Sequence, residues 1–269
     1  MSDKKLKDKV AVVTGGGRGI GKAICLAFAR EGASVMVASN VKAENENVAE
    51  MLRKKGNEAF AYTVDTTDVE QVAGLAAEVK KRFGKLDILA NNAGVVGKRA
   101  FTWEFDDKIF RRTMEVNLFG THNVTKALLP LIIAQKKGRV INTASINGKL
   151  GSVGNAPYSA SKHGVIGLTR TLAIELCMAG LSGITVNAVC PGVTNTDMLT
   201  GPGEILDDGA RMLGKTREQV LKEIVIPMSL QRRLMEPEEV AEAFVYLASD
   251  DAKGITGQAI NVCGGSVFY

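Results

Sequence analysis

Tyr158 and Lys162 stand four residues apart in Tyr158-Ser-Ala-Ser-Lys162. On a helix that spacing puts a phenol and an ammonium on one face, one turn from each other. A free tyrosine titrates at about 10 and is a poor base at neutral pH, but a nearby lysine cation favours its phenolate. A tyrosine so placed can exchange a proton with a substrate oxygen. Ser145 follows the apolar run Arg139 to Thr143 and carries a hydroxyl able to donate a hydrogen bond to the same oxygen. Taken alone, Tyr-x-x-x-Lys also arises on surface helices that do no chemistry, so its meaning depends on what surrounds it.

A second constellation lies near the start of the chain. Thr14-Gly15-Gly16-Gly17-Arg18-Gly19-Ile20-Gly21 falls between a valine-rich strand and a helix. Glycines there permit the turn and let the backbone around Gly15, Gly19, Ile20 and Gly21 approach a pyrophosphate, while the free N–H groups of a helix start favour its charge. The second strand ends at Ser39-Asn40, where many dinucleotide folds carry an acid for the adenosine ribose. Neutral residues leave room for a 2'-phosphate, and Arg18 can supply the compensating cation, which favours NADP(H). NAD(H) stays open, with Asn40 hydrogen-bonding a ribose hydroxyl and Arg18 merely solvated. Asp65 closes the third strand and can accept the adenine amino proton; Asn91, Ala93 and Gly94, at the end of the fourth, can let backbone pass along the ribose. Turn chemistry alone would also explain both.

These groups need a scaffold, and the hydrophobic pattern describes one. Short apolar runs at 9–14, 34–39, 58–64, 86–90, 139–143 and 184–190 read as strands. Amphipathic stretches at 18–30, 42–55, 68–83, a long one leading to Pro130, and 158–178 read as helices between them. Strands without polar alternation, joined by helices, indicate an α/β, doubly wound parallel sheet covered on both faces, in one domain over 1–269. Only 197–226 breaks the rhythm, with Gly201-Pro202-Gly203 and a charged patch; lying just beyond a strand end, it reads as a substrate lid or as a tolerated surface insertion.

Composition narrows the function classes. The 269 residues are 45% hydrophobic and 23% charged, ordinary for a globular protein, and a net charge of +5 is too mild to suggest nucleic-acid binding. No run is long enough to span a bilayer and no leader is recognisable, so the expected compartment is the cytoplasm. Cys25, Cys177, Cys190 and Cys263 lack metal or redox spacing and read as small buried hydrophobes. His122 and His163 join no ligand cluster, so neither a metal site nor a histidine-based hydrolytic triad is expected.

With the glycine loop, Asn91-Asn92-Ala93-Gly94, Asn117, Ser145, Tyr158 with Lys162, and Pro191-Gly192 followed by Thr196, all in order, the chain closely resembles the short-chain dehydrogenase/reductases over nearly its whole length. The resemblance implies a Rossmann-type sheet of about seven strands and a homotetramer, or else a homodimer. It implies Tyr158 as acid/base, Ser145 positioning the carbonyl oxygen, Lys162 holding the nicotinamide ribose and Asn117 supporting a water relay. It also sets Pro191, Gly192, Val193, Thr194 and Thr196 against the nicotinamide. The expected reaction is hydride transfer between a nicotinamide dinucleotide and a small-molecule ketone or secondary alcohol, broad carbonyl reduction being the leading form. A sugar, polyol or hydroxysteroid dehydrogenase and a 3-oxoacyl-thioester reductase would use the same site, with Asn147, Asn155, Val193 and Met198 as candidate substrate contacts. A dinucleotide sensor without activity would have no need of the Tyr158 and Lys162 pair.

Overall fold

The computed structural model describes residues 4–269. Its centre is a seven-stranded sheet in the order β3-β2-β1-β4-β5-β6-β7, with every neighbouring pair parallel. The strands are β1 (Val10–Thr14), β2 (Ser34–Ser39), β3 (Ala59–Thr63), β4 (Ile88–Asn91), β5 (Gly138–Thr143), β6 (Ile184–Pro191) and β7 (Ala259–Val262). The helices are α1 (Gly19–Arg30), α2 (Lys42–Lys54), α3 (Val69–Phe83), α4 (Asp107–Met114), α5 (Gly120–Ile133), α6 (Ala156–Met178), α7 (Asp197–Thr200), α8 (Ile205–Leu213), α9 (Arg217–Gln219) and α10 (Pro237–Ala248).

The unbroken apolar character of the strands follows from burial on both faces. Ala11, Val13, Val35, Val37, Ile88, Ala90 and Ile141 point to a core shared with α1, α2 and α10. Their alternates Val10, Val12, Met36, Leu89 and Val140 point to a second core against α3, α5 and α6. Residues of the inner strands therefore meet a helix whichever way they face, and no polar alternation is needed, whereas the edge strands β3 and β7 are only partly buried. Helix ends are set locally: the Asp68 side chain accepts from the Glu70 and Gln71 amides at the start of α3, and Gly84, at φ 71°, takes the left-handed turn that ends it.

Strand order reverses between β1 and β4, so the loops leaving these two strands part company and open a crevice at the sheet's C-terminal edge. Thr14 ties its two sides together, its hydroxyl oxygen accepting from the amides of Asn92 (3.0 Å) and Ala93 (3.1 Å). Beneath the crevice a buried polar chain crosses the sheet. Asn91 Nδ2 donates to Thr125 Oγ1 on α5 and to Asn142 Oδ1 on β5, both at 2.9 Å. Asn142 Nδ2 in turn donates to Thr169 Oγ1 on α6 at 2.9 Å.

Several expectations change. The stretch leading to Pro130 is two helices, α4 and α5, joined by a π turn over Glu115–Phe119. Helix α5 also runs past Pro130 to Ile133, the proline forgoing one i→i−4 hydrogen bond, to the Lys126 carbonyl, while the last turn continues beyond it. Three cysteines are buried but Cys177 is exposed, since it sits on the outer side of the last turn of α6. The 197–226 excursion is mostly helical and has its own small core of Leu199, Leu206, Val220 and Val225. No helix among the described residues is long and apolar enough to cross a membrane.

Asn142→Ala should lower stability by about 1–3 kcal/mol, because it strips a buried partner from Asn91 and another from Thr169. Urea unfolding checks this, and an unchanged midpoint would show that the polar chain does not hold the sheet to its helices.

Candidate active site

Ser145 leaves β5 in extended backbone and its hydroxyl oxygen accepts from the Asn147 amide at 3.1 Å, which starts the short turn Ile146–Gly148. Glycine is required at the end of that turn: a Cβ on Gly148 would lie 2.7 Å from the Lys162 carbonyl oxygen, so the turn rests directly on α6. Tyr158 occupies the first turn of the same helix, behind Pro157, whose missing N–H costs nothing at a helix start. Lys162 follows one turn later, 3% exposed, its Nζ donating to the Thr143 carbonyl at 2.7 Å and standing 5.6 Å from the Tyr158 ring centre.

Gly94 joins this group from β4, where an added Cβ would lie 3.2 Å from Asn117 Oδ1 and 3.5 Å from Lys162 Nζ. Asn117, fully buried in the π turn, spends its side chain on protein: Oδ1 accepts from the Val95 amide, and Nδ2 donates to the Val95 carbonyl and to Ser161 Oγ. A local widening of the helix is what lets one side chain bridge the β4 loop and α6.

Burial pushes the Tyr158 phenol above its ordinary value; the hydrogen-bonding Ser145 hydroxyl and the positive charge of Arg99 pull it the other way. The sequence suggested that Lys162 would supply this pull. In the structure its ammonium is turned to the Thr143 carbonyl, and burial holds its own pKa down at about 8.

The opposite wall belongs to the glycine loop. Gly15 (φ +61°) and Gly19 (φ +51°) hold left-handed backbone; a Cβ on Gly15 would lie 2.9 Å from Ala93 Cα, and one on Gly19 3.4 Å from Thr196 Cγ2. A side chain on Gly21 would collide with the Gly15 carbonyl. Arg18 is the N-cap of α1, yet no side chain caps that helix and its first turn holds no acid. The amides at the helix start are thus left for an external anion, as a dinucleotide pyrophosphate requires. Ile20 packs against the core below. On the far side, Pro191 ends β6, the Gly192 amide donates to the Val262 carbonyl, Thr194 Oγ1 donates to the Gly192 carbonyl at 3.1 Å, and Val193 packs on the excursion.

Other expected site residues are committed elsewhere. Ser39 Oγ donates to Asn45 Oδ1 at 2.6 Å. The Asp65 carboxylate accepts from Thr67 and from Arg112, contacts that outweigh burial and hold its pKa low. Asn91 lies in the polar chain under the crevice, and Asn155 is 2% exposed with Oδ1 unpartnered. Asn40 and Arg18 are exposed, and Asn147 and Met198 half-buried. Burial raises the Glu204 carboxyl, at the start of α8, while the Arg18 charge lowers it.

Sequence reasoning missed three groups. Asn92 Nδ2 donates to the Gly15 carbonyl and its Oδ1 accepts from Thr143 Oγ1, joining the loops after β1 and β5. Arg99 and Asp208 meet only through the fold, Arg99 donating its amide to Asp208 Oδ2 at 2.8 Å. The only available signal for Asn92 was its place within Asn91-Asn92-Ala93-Gly94; nothing local marked the other two.

A family model described as short chain dehydrogenase matches residues 9–204. An uncharacterized oxidoreductase of Bacillus subtilis, YxjF, is 39% identical over 260 residues, covering 97% of this chain and 98% of its own. A 3-oxoacyl-(acyl-carrier-protein) reductase of Thermotoga maritima is 36% identical, with 98% and 100% covered. A crystal structure of an actinorhodin polyketide ketoreductase variant with NADPH superposes at a TM-score of 0.90 and 38% identity, covering 97% of this chain and 98% of that one.

The Lys162 value of about 8 has a consequence for stability. The folded chain releases this proton before the unfolded chain does, so the charge-burial penalty is present below pH 8 and is relieved as pH rises toward the ordinary lysine value. Urea midpoints of wild type should therefore gain on those of Lys162→Met between pH 7.5 and 10; a constant difference would show that the ammonium is not penalised.

Proposed function

The chain belongs to the short-chain dehydrogenases, oxidoreductases that act on ketone and alcohol pairs with a nicotinamide dinucleotide, and we propose that its own pair is NADP(H) and a 3-oxoacyl-type ketone. This narrows the broad carbonyl reduction expected from sequence. The support comes from the named activities of the Thermotoga relative and the NADPH-bound ketoreductase, together with a putative ketoacyl reductase of Streptomyces coelicolor at 39% identity. The observation that carries the dinucleotide is the uncapped, acid-free start of α1 beneath left-handed Gly15 and Gly19.

The dinucleotide, when bound, supplies hydride to the carbonyl carbon or takes it back. The chain's residues do the rest. Backbone at Gly15, Gly19, Ile20 and Gly21 would hold the pyrophosphate, with Arg18 on a 2'-phosphate and Ser39, Asn40 and Asp65 beside the adenosine. Ala93, Gly94 and Lys162 would border the ribose above buried Asn91, and Pro191, Gly192, Val193, Thr194 and Thr196 the nicotinamide. Tyr158 Oη gives a proton to the carbonyl oxygen during reduction and takes it back in oxidation, while Ser145 Oγ donates a hydrogen bond to that oxygen. Asn117 fixes Gly94 and α6 relative to each other so that these groups stay in register. Of the substrate candidates, half-buried Asn147, Val193 and Met198 would border the cleft, while buried Asn155 would shape the loop into α6. The 197–226 excursion acts as a substrate lid, resting on Val193 through its own apolar cluster. Exposed Phe119, Ile174 and Met178 give α6 and the turn before α5 the apolar surface a homotetramer would bury.

Tyr158→Phe keeps the ring and removes the proton, so kcat for ketone reduction should fall about 10²–10⁴-fold with dinucleotide binding retained. Near wild-type turnover would remove Tyr158 from the proton step. Arg18→Ala should cut the preference for NADPH over NADPH's unphosphorylated counterpart by about 10–100-fold, the worth of one charged hydrogen bond. Side-by-side titration reads this directly, and a wild type that prefers NADH would overturn the assignment.

A further inference from the structure

Arg99 lies in the segment that leaves β4, and the fold clamps its backbone on both sides. Its amide donates to Asp208 Oδ2 at 2.8 Å, its carbonyl accepts from Arg211 Nη2 at 2.8 Å, and the next amide, Ala100, donates to the Gly154 carbonyl at 3.2 Å. Asp208 and Arg211 belong to α8 in the excursion, and Gly154 to the loop that delivers Tyr158. The backbone that carries the side chain is therefore held between the excursion and the loop leading into Tyr158.

The guanidinium itself makes no ion pair, although the nearby Asp208 charge favours its protonated form. Asp208 is the obvious candidate, but its Oδ1 accepts from Arg211 at 2.9 Å and its Oδ2 is taken by the Arg99 amide. Among the described residues no carboxylate comes within ion-pair distance of Arg99, and its buried Nε has no hydrogen-bond partner. Burial accordingly disfavours its charge, that charge is felt by the Tyr158 phenol, and the Ala100 to Gly154 bond holds the Arg99 segment against the loop leading into Tyr158. A half-buried, unpaired guanidinium offers a planar fork suited to two carboxylate oxygens.

We propose that Arg99 is a specificity-determining residue that binds a carboxylate carried by the substrate next to its reacting carbonyl, so that this enzyme takes free 3-oxo acids and their 3-hydroxy counterparts. This rests on the reading of Tyr158 as proton donor and departs from a neutral thioester as the preferred form. Only a group attached close to the carbonyl can reach Arg99 while the carbonyl oxygen engages Tyr158 and Ser145. A neutral ester or thioester carbonyl can accept one hydrogen bond from the fork but brings no negative charge to it.

The test compares acetoacetate with ethyl acetoacetate in wild type, Arg99→Ala and Arg99→Lys, each as holoenzyme. Arg99→Ala should reduce kcat/KM for acetoacetate about 10–100-fold more than for the ester, chiefly through KM, and Arg99→Lys should restore part of that selectivity. Equal losses on both compounds would overturn the proposal and make Arg99 a positioning residue for the loop or for Tyr158. Calorimetric titration of acetoacetate into the NADP+ complex gives a readout without turnover. If wild type does not bind acetoacetate, the proposal fails. If binding depends on Arg99 but neither compound is reduced, the proposal stands and the 3-oxoacyl reading falls instead.

Discussion

The bond from Lys162 Nζ to the Thr143 carbonyl is the point on which the site is assembled. It fastens α6 to the C-terminal end of β5, and so fixes Tyr158, one turn earlier, relative to Ser145, which follows Thr143 in the chain. It also buries an ammonium whose neighbours are a backbone carbonyl, the Asn117 amide and the space over Gly94. A buried cation so poorly compensated is costly on its own and becomes favourable when hydroxyls or negative charge arrive from outside. The crevice is thus preorganised for a polar ligand at the place where the two halves of the sheet diverge.

Holding that cation in place requires a rigid floor, and the parallel sheet provides it in an unusual material. Its central layer is aliphatic, but directly under the crevice Asn91, Asn142, Thr125 and Thr169 form a hydrogen-bonded chain from α5 to α6, in which only Asn91 Oδ1 is left without a partner. Apolar packing alone is tolerant of small slips; a polar chain in low dielectric is not, because any displacement leaves a buried donor unpaired. The same logic recurs at Asn117, where a π turn spends one residue of helical regularity to bridge the β4 loop and α6. These asparagines are committed to structure: Asn91 lies beneath the crevice, while Asn92 joins the loops that border it.

What was legible in the sequence was whatever is locally encoded. Valine-rich runs, helical spacing and positive-φ glycines revealed the strand order's raw material, and Tyr158, Lys162 and Ser145 were visible as a phenol, a cation and a hydroxyl at strand and helix ends. What was not legible depends on contacts across long stretches of chain. The segment to Pro130 looked like one helix because its apolar period survives the π turn; nothing in Glu115–Phe119 announces the extra residue that Asn117 needs. Ser39 looked free for a ribose because its partner Asn45 lies on the next helix. Arg99 looked like any loop arginine, since Asp208, more than a hundred residues later, is what holds it in place.

The two cations near Tyr158 therefore divide the labour in a way their sequence positions conceal. Lys162 arrives on the same helix as the phenol, through a spacing that any chain of this fold can carry, and in the proposed function it would hold the dinucleotide. Arg99 arrives through the β4 loop and is held by α8 of the excursion, so its position depends on a segment free to vary without disturbing the sheet. Proton transfer needs the first arrangement whatever the ketone. Selection among ketones can then be set by the second, because moving Asp208 or Arg211 would re-aim Arg99 while leaving the Lys162 to Thr143 bond, the asparagine chain and the glycine loop where they are.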